Sequence, residues 1–289
     1  MSSELKFGIS QYTTHPLTFE QDLDLLTKEG IQYIEVCEGK LDPKNPEPQL
    51  QKLKDTGMIV ASVQPRLHSL FPDFPRPEPK SPKERMARLK ETIKLFGKHF
   101  PGTTLVTIPG AVPNGDFALG YREAGIQYKD VAKAAEDAGV KVALEPLNPI
   151  LMNTDAFIVT LKNAGRVIEE INSPAFGLFV DVWHIWEEDN VISSIQKYGD
   201  KIFGVHVNDW HMPRAFGDRL LPGQGEMPLV ELVNAIRSTP YKGAYTLEVF
   251  SETHLEGSLW ADCARTVREG RDAFAKVWAE ACAPDPTTS

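Results

Sequence analysis

Four polar residues each end an apolar run, and each is of a type that holds metal or moves protons. Glu145 closes "VALE", Asp181 closes "FGLFVD", His206 sits in "IFGVHVND" and Glu248 in "AYTLEVF". They follow one another by 36, 25 and 42 residues, about one strand-plus-helix unit each time. A second imidazole, His184, comes three residues after Asp181, flanked by Trp183 and Trp186. A carboxylate and an imidazole are costly to bury unless something pairs with them. Three carboxylates aimed at one point repel strongly unless a cation neutralises them. An oxygen-rich set with one imidazole suits one divalent ion, Mn²⁺ first, with Mg²⁺ or Co²⁺ as alternatives; zinc prefers more nitrogen or sulfur. A lone Glu ending a strand is ordinarily a surface charge. Four such residues at unit spacing predict a metal centre made of Glu145, Asp181, His206 and Glu248.

The elements that must position them repeat along the chain. Short apolar runs bounded by turn signals predict strands at 6–13, 32–37, 58–64, 103–109, 141–147, 176–183, 202–208 and 244–250. Amphipathic stretches lie between most of them. In "SPKERMARLKETIKLFGKH", Ser81 is an N-cap, Pro82 fits the first helical position and Glu84 completes a capping box. Gly30, Gly57 and Gly139 each follow a polar helix end and precede an apolar strand, the place of a left-handed C′ residue. Eight such units predict a single α/β domain, a (β/α)8 TIM barrel over residues 1–283, with 284–289 a disordered tail. A doubly wound open sheet would spread the polar residues over fewer strands. The loop "PRLHSLFPDFPRPEPK" and the segment from Trp210 to Met227 are long connections that leave strand ends. The elaborated face is therefore the C-terminal one, where barrel enzymes build their sites.

Composition narrows the partners. The chain has 289 residues, 42% of them hydrophobic, and a net charge of −9, which lacks the basic field that nucleic acid requires. The three cysteines, Cys37, Cys263 and Cys282, are dispersed and odd in number, with neither a disulfide framework nor a metal knuckle. No signal peptide and no membrane span are read, so a cytoplasmic protein is expected. Trp183, Trp186, Trp210 and Phe250 fall beside the ligand candidates, and Trp183 and Trp210 are expected to wall the substrate. Gly223 and Gly225 in "DRLLPGQGE" offer either a tight turn or amides for a phosphate.

The Glu-Pro-Leu-Asn after the fifth strand, the Asp-x-x-His of the sixth, the His of the seventh and the Glu of the eighth resemble the xylose-isomerase-like sugar isomerase/epimerase superfamily. Within it the chain most resembles the ketose 3-epimerases and hydroxypyruvate isomerases. The resemblance implies that Glu145, Asp181, His206 and Glu248 are metal ligands and that Glu145 and Glu248 double as the acid/base pair. It implies that His184 hydrogen-bonds a substrate oxygen, that Arg214 holds another, and that Asn148 of the motif lies with the substrate. The implied chemistry is removal of a proton α to a ketone, giving an enediolate, and its return to the same or the neighbouring carbon. Pro149 stands where the 3-epimerases usually carry arginine, which favours a bulkier substrate. The alternative is a lyase acting on a keto-sugar, of the inosose dehydratase or C-glycoside deglycosidase type. The resemblance implies a homo-oligomer, or a pairing with a small β-rich chain in the deglycosidase case. An endonuclease-IV-like reading needs more histidines than the seven present.

Overall fold

Every one of the eight apolar runs forms a strand in the computed structural model, which describes residues 4–213, 215, 217–252 and 257–283. They are β1 (Phe7–Ser10), β2 (Tyr33–Cys37), β3 (Ile59–Gln64), β4 (Thr104–Thr107), β5 (Lys141–Leu144), β6 (Phe176–Asp181), β7 (Ile202–Val207) and β8 (Tyr245–Leu247). Each pairs in parallel with the next in sequence, and β8 closes on β1. The covering helices are α1 (Phe19–Lys28), α2 (Glu47–Asp55), α3 (Pro82–His99), α4 (Phe117–Ala138), α5 (Leu161–Ile171), the single turn α6 (Val182–Ile185), α7 (Val191–Lys197), α8 (Leu229–Arg237) and α9 (Cys263–Cys282). The fold is a single closed TIM barrel. The tail 284–289 lies outside the described residues.

The strands are shorter than the apolar runs, for a local reason. Glu145 N–H still donates to Thr107 at 2.9 Å, but Pro146 has no N–H, and the ladder stops there. Residues just past each ladder thus lie at the barrel mouth, where chemistry is possible. Gly30, Gly57 and Gly139 take positive φ as expected. Ser81 caps α3 by accepting the Glu84 N–H, whereas the reciprocal capping box forms at α1, between Thr18 and Gln21.

Side chains alternate across the strands. Val142, Leu144, Val180, Val205 and Val207 belong to the large core that includes the helices, while Val106, Ala143 and Phe179 form a separate small cluster of opposite phase. Phe179 packs its ring 4.5 Å from that of His206, so the smaller cluster supports the polar residues at the mouth. The proline-rich β3–α3 loop is held against the end of β4, with Leu70 and Phe71 donating to the carbonyls of Ile108 and Pro109. Among the described residues no helix is long and apolar enough to cross a membrane.

Candidate functional site

The four strand-end residues converge. His206 Nδ1 lies 3.3 Å from Glu248 Oε2, 3.5 Å from Glu145 Oε1 and 3.9 Å from Asp181 Oδ2. All four are buried, with Asp181 and His206 fully so. Two strands that are neighbours in the sheet, β6 and β7, place Asp181 directly opposite His206 in register.

The opposite ring nitrogen of His206 is already engaged. Its Nε2 meets both carboxylate oxygens of Glu35 at 3.0 and 2.9 Å, and Ser62 Oγ donates to Glu35 at 2.7 Å. Burial opposes a charge on His206, but Glu248 and Glu35 raise its pKa well above the ordinary imidazole range; in the neutral ring, a proton kept on Nε2 by Glu35 would leave the Nδ1 lone pair to a cation. Both His206 Nδ1 and Glu145 Oε1 are buried with no hydrogen-bond partner. Glu35, Glu145, Asp181 and Glu248 are all buried carboxyl groups that converge around one imidazole. Buried polar atoms without partners inside such a carboxylate-rich set fit a divalent cation, which would take the place of the imidazole proton. The geometry also groups Glu35 with His206 and Glu248, and Glu145 with Asp181 and His184. Glu35 already accepts from His206 and Ser62, which suits it to orienting His206.

His184 is fixed differently. The Asn148 backbone N–H donates to its Nδ1 at 3.0 Å, so in the neutral ring Nε2 carries the proton. Burial lowers the His184 pKa to about 3, against the opposing pull of Asp181, and keeps the ring neutral. Its protonated Nε2, 3.7 Å from Asp181 Oδ2, is a donor beside the candidate ligands. The Asn148 side chain is engaged within the protein: its amide donates to Trp183 O at 3.2 Å and its oxygen caps the Ile150 N–H. Its place in the site is through His184.

Arg214 lies outside the described residues. The guanidinium that enters the site is that of Arg219, whose Nη1 is 2.6 Å from Asp181 Oδ2 and 3.2 Å from Glu248 Oε2. It lies between the rings of Trp183 and Phe250, 4.9 and 5.0 Å from their centroids. Trp183, expected to wall the substrate, is 3% exposed and backs Arg219 and His184 instead. Trp210 is half-buried beside Trp186, ring centroids 6.5 Å apart. Asn208 steadies Asp181, donating to Oδ1 at 3.0 Å and to Glu248 O at 3.1 Å. No local sequence pattern marks Arg219. Glu35 does leave a trace, a single charge inside "YIEVC".

Electrostatics separate the carboxyl groups. Burial pushes Glu248 up to about 8, against His206 and Arg219, and also raises Glu145. Burial would raise Asp181 too, but Arg219 and then His184 beside it hold it below the ordinary range. Glu145 and Glu248 thus hold protons more readily than Asp181, the division expected of proton carriers beside a permanent anion. Gly223 N–H donates to Asp209 Oδ2 and Glu226 N–H to Trp210 O, so both of these loop amides are engaged within the protein.

Residues 23–277 match the family described as Xylose isomerase-like TIM barrel. A D-psicose 3-epimerase of Enterocloster bolteae is 30% identical over 124 residues, which cover 42% of this chain but 38% of that protein. An inosose isomerase of Bacillus subtilis is 25% identical, over 79% of this chain and 83% of its own. Among solved structures, a Sinorhizobium meliloti protein superposes with a TM-score of 0.82 at 21% identity, covering 94% of this chain and 98% of its own. The IOLI protein with a bound zinc atom superposes with a TM-score of 0.77 at 19% identity, covering 97% and 100%. With more than half the chain matched and the closed eight-stranded barrel in place, the protein belongs to the xylose isomerase-like TIM barrel family.

Proposed function

We propose that this protein is a divalent-metal-dependent isomerase or epimerase of a keto-sugar or related polyol ketone. The observation that carries the reading is the pair of buried atoms without hydrogen-bond partners, His206 Nδ1 and Glu145 Oε1, beside the carboxylates of Asp181 and Glu248. Glu145, Asp181, His206 and Glu248 would hold the ion. Three carboxylates and one imidazole favour Mn²⁺, Mg²⁺ or Co²⁺, and the zinc in the IOLI structure makes Zn²⁺ a necessary comparison. When bound, the ion supplies Lewis acidity at the substrate carbonyl.

The protein residues divide the remaining work. One of Glu145 and Glu248 removes the proton α to the ketone, and the electron pair left behind spreads onto the carbonyl oxygen as an enediolate. His184 Nε2–H and the Arg219 guanidinium donate to the substrate oxygens as charge develops there. The other glutamate returns a proton, to the opposite face of the same carbon for epimerisation or to its neighbour for isomerisation. Burial raises both glutamates above the ordinary carboxyl range, Glu248 to about 8, which suits them to carrying protons. The reading also carries a homo-oligomer and a cytoplasmic location, checked by light scattering and cell fractionation.

A second reading ends the same enediolate in loss of a β-substituent. It is supported by an aromatic wall of half-buried rings from both ends of the chain. Tyr12 packs 5.3 Å from Phe250 and Trp260 6.4 Å from Phe250, an apolar surface that an apolar substituent of the substrate would meet. A 3-dehydroshikimate dehydratase of Pseudomonas putida is 25% identical over 81% of this chain, though only 36% of that protein is covered. In this case a small β-rich partner chain is expected.

The test is to strip metal with EDTA, restore Mn²⁺, Mg²⁺, Co²⁺ or Zn²⁺, and incubate in D₂O with ketohexoses, an inosose and a 3-keto-glucoside. Deuterium in recovered sugar supports isomerisation or epimerisation; release of water or aglycone supports the lyase. No metal-dependent exchange with any of them defeats both. Full activity in Glu248→Gln would remove the acid/base assignment.

A further inference from the structure

Arg219 enters the site from the long connection between β7 and α8, and the course of that connection is set by one buried carboxylate. We propose that Asp209 is a positioning residue, a latch that fixes this loop so that Arg219 lies between Asp181 and Glu248. The inference rests on the reading of those carboxylates as part of a catalytic centre.

Asp209 is 1% exposed and binds its loop at the beginning, the turn and the end. Oδ1 accepts the Trp210 N–H at 2.8 Å and the Met227 N–H at 3.3 Å, and Oδ2 accepts the Gly223 N–H at 2.9 Å. The main chain of Asp209 pairs with that of Leu220, the neighbour of Arg219, through two bonds of 2.9 and 2.8 Å. Arg219 N–H then donates to Phe250 O at 2.9 Å, joining the loop to the continuation of β8. Every partner of the Asp209 side chain is a donor, so only an acceptor on both arms satisfies them; an asparagine turns an NH₂ group towards one set of amides. The loop is built around this carboxylate at Gly225 as well, where a Cβ would lie 2.2 Å from Asp209 Oδ1 and 2.6 Å from Trp210 N. A long, flexible side chain delivers its guanidinium to one place only if its backbone is held. Here Asp209 holds the backbone, and the rings of Trp183 and Phe250 guide the side chain.

A double-mutant cycle separates a latch acting through Arg219 from a general structural role. Metal-dependent exchange is measured for the parent, Asp209→Asn, Arg219→Gln and the double variant, with thermal melts of each. Asp209→Asn is expected to lower kcat by roughly 10–100-fold, as misplacement by about an ångström does. In the Arg219→Gln background the same change is expected to alter kcat less than about twofold. Equal losses in both backgrounds would overturn the proposal. Gly225→Ala, which crowds the latch without deleting it, runs through the same cycle if Asp209→Asn folds poorly. Hydrogen exchange gives a readout that needs no substrate: the Leu220 and Gly223 amides should lose protection in Asp209→Asn while β6 and β7 keep theirs. A crystal structure of Asp209→Asn with Arg219 still bridging Asp181 and Glu248 overturns the latch. Absence of exchange with every ketone would defeat the proposed function, while amide protection and the position of Arg219 in the crystal would still decide for or against the latch.

Discussion

Glu35 and His206 stand 171 residues apart and share a hydrogen bond at 2.9 Å inside the barrel. Burial opposes a charge on Glu35, yet His206 keeps its pKa below the ordinary range, so the pair behaves as a carboxylate holding an imidazole. This fixes which nitrogen of His206 faces Glu145, Asp181 and Glu248. Removing such an orienting carboxylate typically costs 10–100-fold in metal affinity or activity. Glu35→Gln is therefore expected to weaken Mn²⁺ binding by about that factor, read by calorimetric titration of the metal-free protein. Unchanged affinity would make Glu35 a core residue with no part in the site.

His184 gives the opposite signature. With Nδ1 occupied by the Asn148 N–H, its free nitrogen donates and does not ligate. His184→Gln should leave metal affinity within about twofold while kcat falls by roughly 10²-fold, the usual scale for losing a donor to developing charge. The discriminating pair of measurements is a metal titration and steady-state kinetics on the same preparation. A large loss of metal affinity would place His184 among the ligands.

The barrel was legible because eight apolar runs and their glycine stops recur at one unit spacing, a pattern that local chain chemistry sets. Glu145, Asp181, His206 and Glu248 were legible for the same reason: each lies within one residue of the end of an apolar strand. Arg219 was not, because its approach depends on a loop that turns back through Asp209 and Leu220, and such a course leaves no period in sequence. Glu35 sits in an apolar strand like an error, and only the facing His206 explains it. Trp183 misleads because proximity in sequence to Asp181 says nothing about whether its ring faces solvent or Arg219.

Arg85 organises the β3–α3 loop from within. Its side chain is fully buried and donates to Ser69 O at 2.8 Å, Arg76 O at 3.0 Å and Pro79 O at 2.9 Å, with Ser69 Oγ and Asp73 as further partners. Lysine keeps the charge but offers three donors from one point in place of a planar fan of five. Arg85→Lys is expected to destabilise the protein by about 3 kcal/mol, the scale for a buried cation left with unmet partners. Urea denaturation against the parent measures it; a loss under about 0.5 kcal/mol, typical of surface changes, would mean the loop holds itself.

Asp22 makes stability depend on pH away from the proposed metal site. It is fully buried on α1, where Lys40 Nζ lies 2.7 Å from Oδ2 and Gln11 donates to the same oxygen. Burial raises its pKa from 3.8 to about 6, with the Lys40 charge opposing. A carboxyl group whose folded pKa exceeds its unfolded value binds its proton more tightly in the folded state. Its stabilising contribution is complete below pH 3.8 and is lost as pH rises through about 6. Two pKa units set a ceiling of about 3 kcal/mol on the change across that window. Asp22→Asn removes the titration while other carboxyl groups remain. The parent should therefore lose stability relative to Asp22→Asn between pH 4 and pH 6, with little further relative change above pH 7. Urea melts of both proteins at pH 4, 5, 6 and 7 provide the comparison. Parallel curves would show that Lys40 and Gln11 fully offset the burial of Asp22, and a parent that gains stability relative to the variant would reverse the sign of the argument.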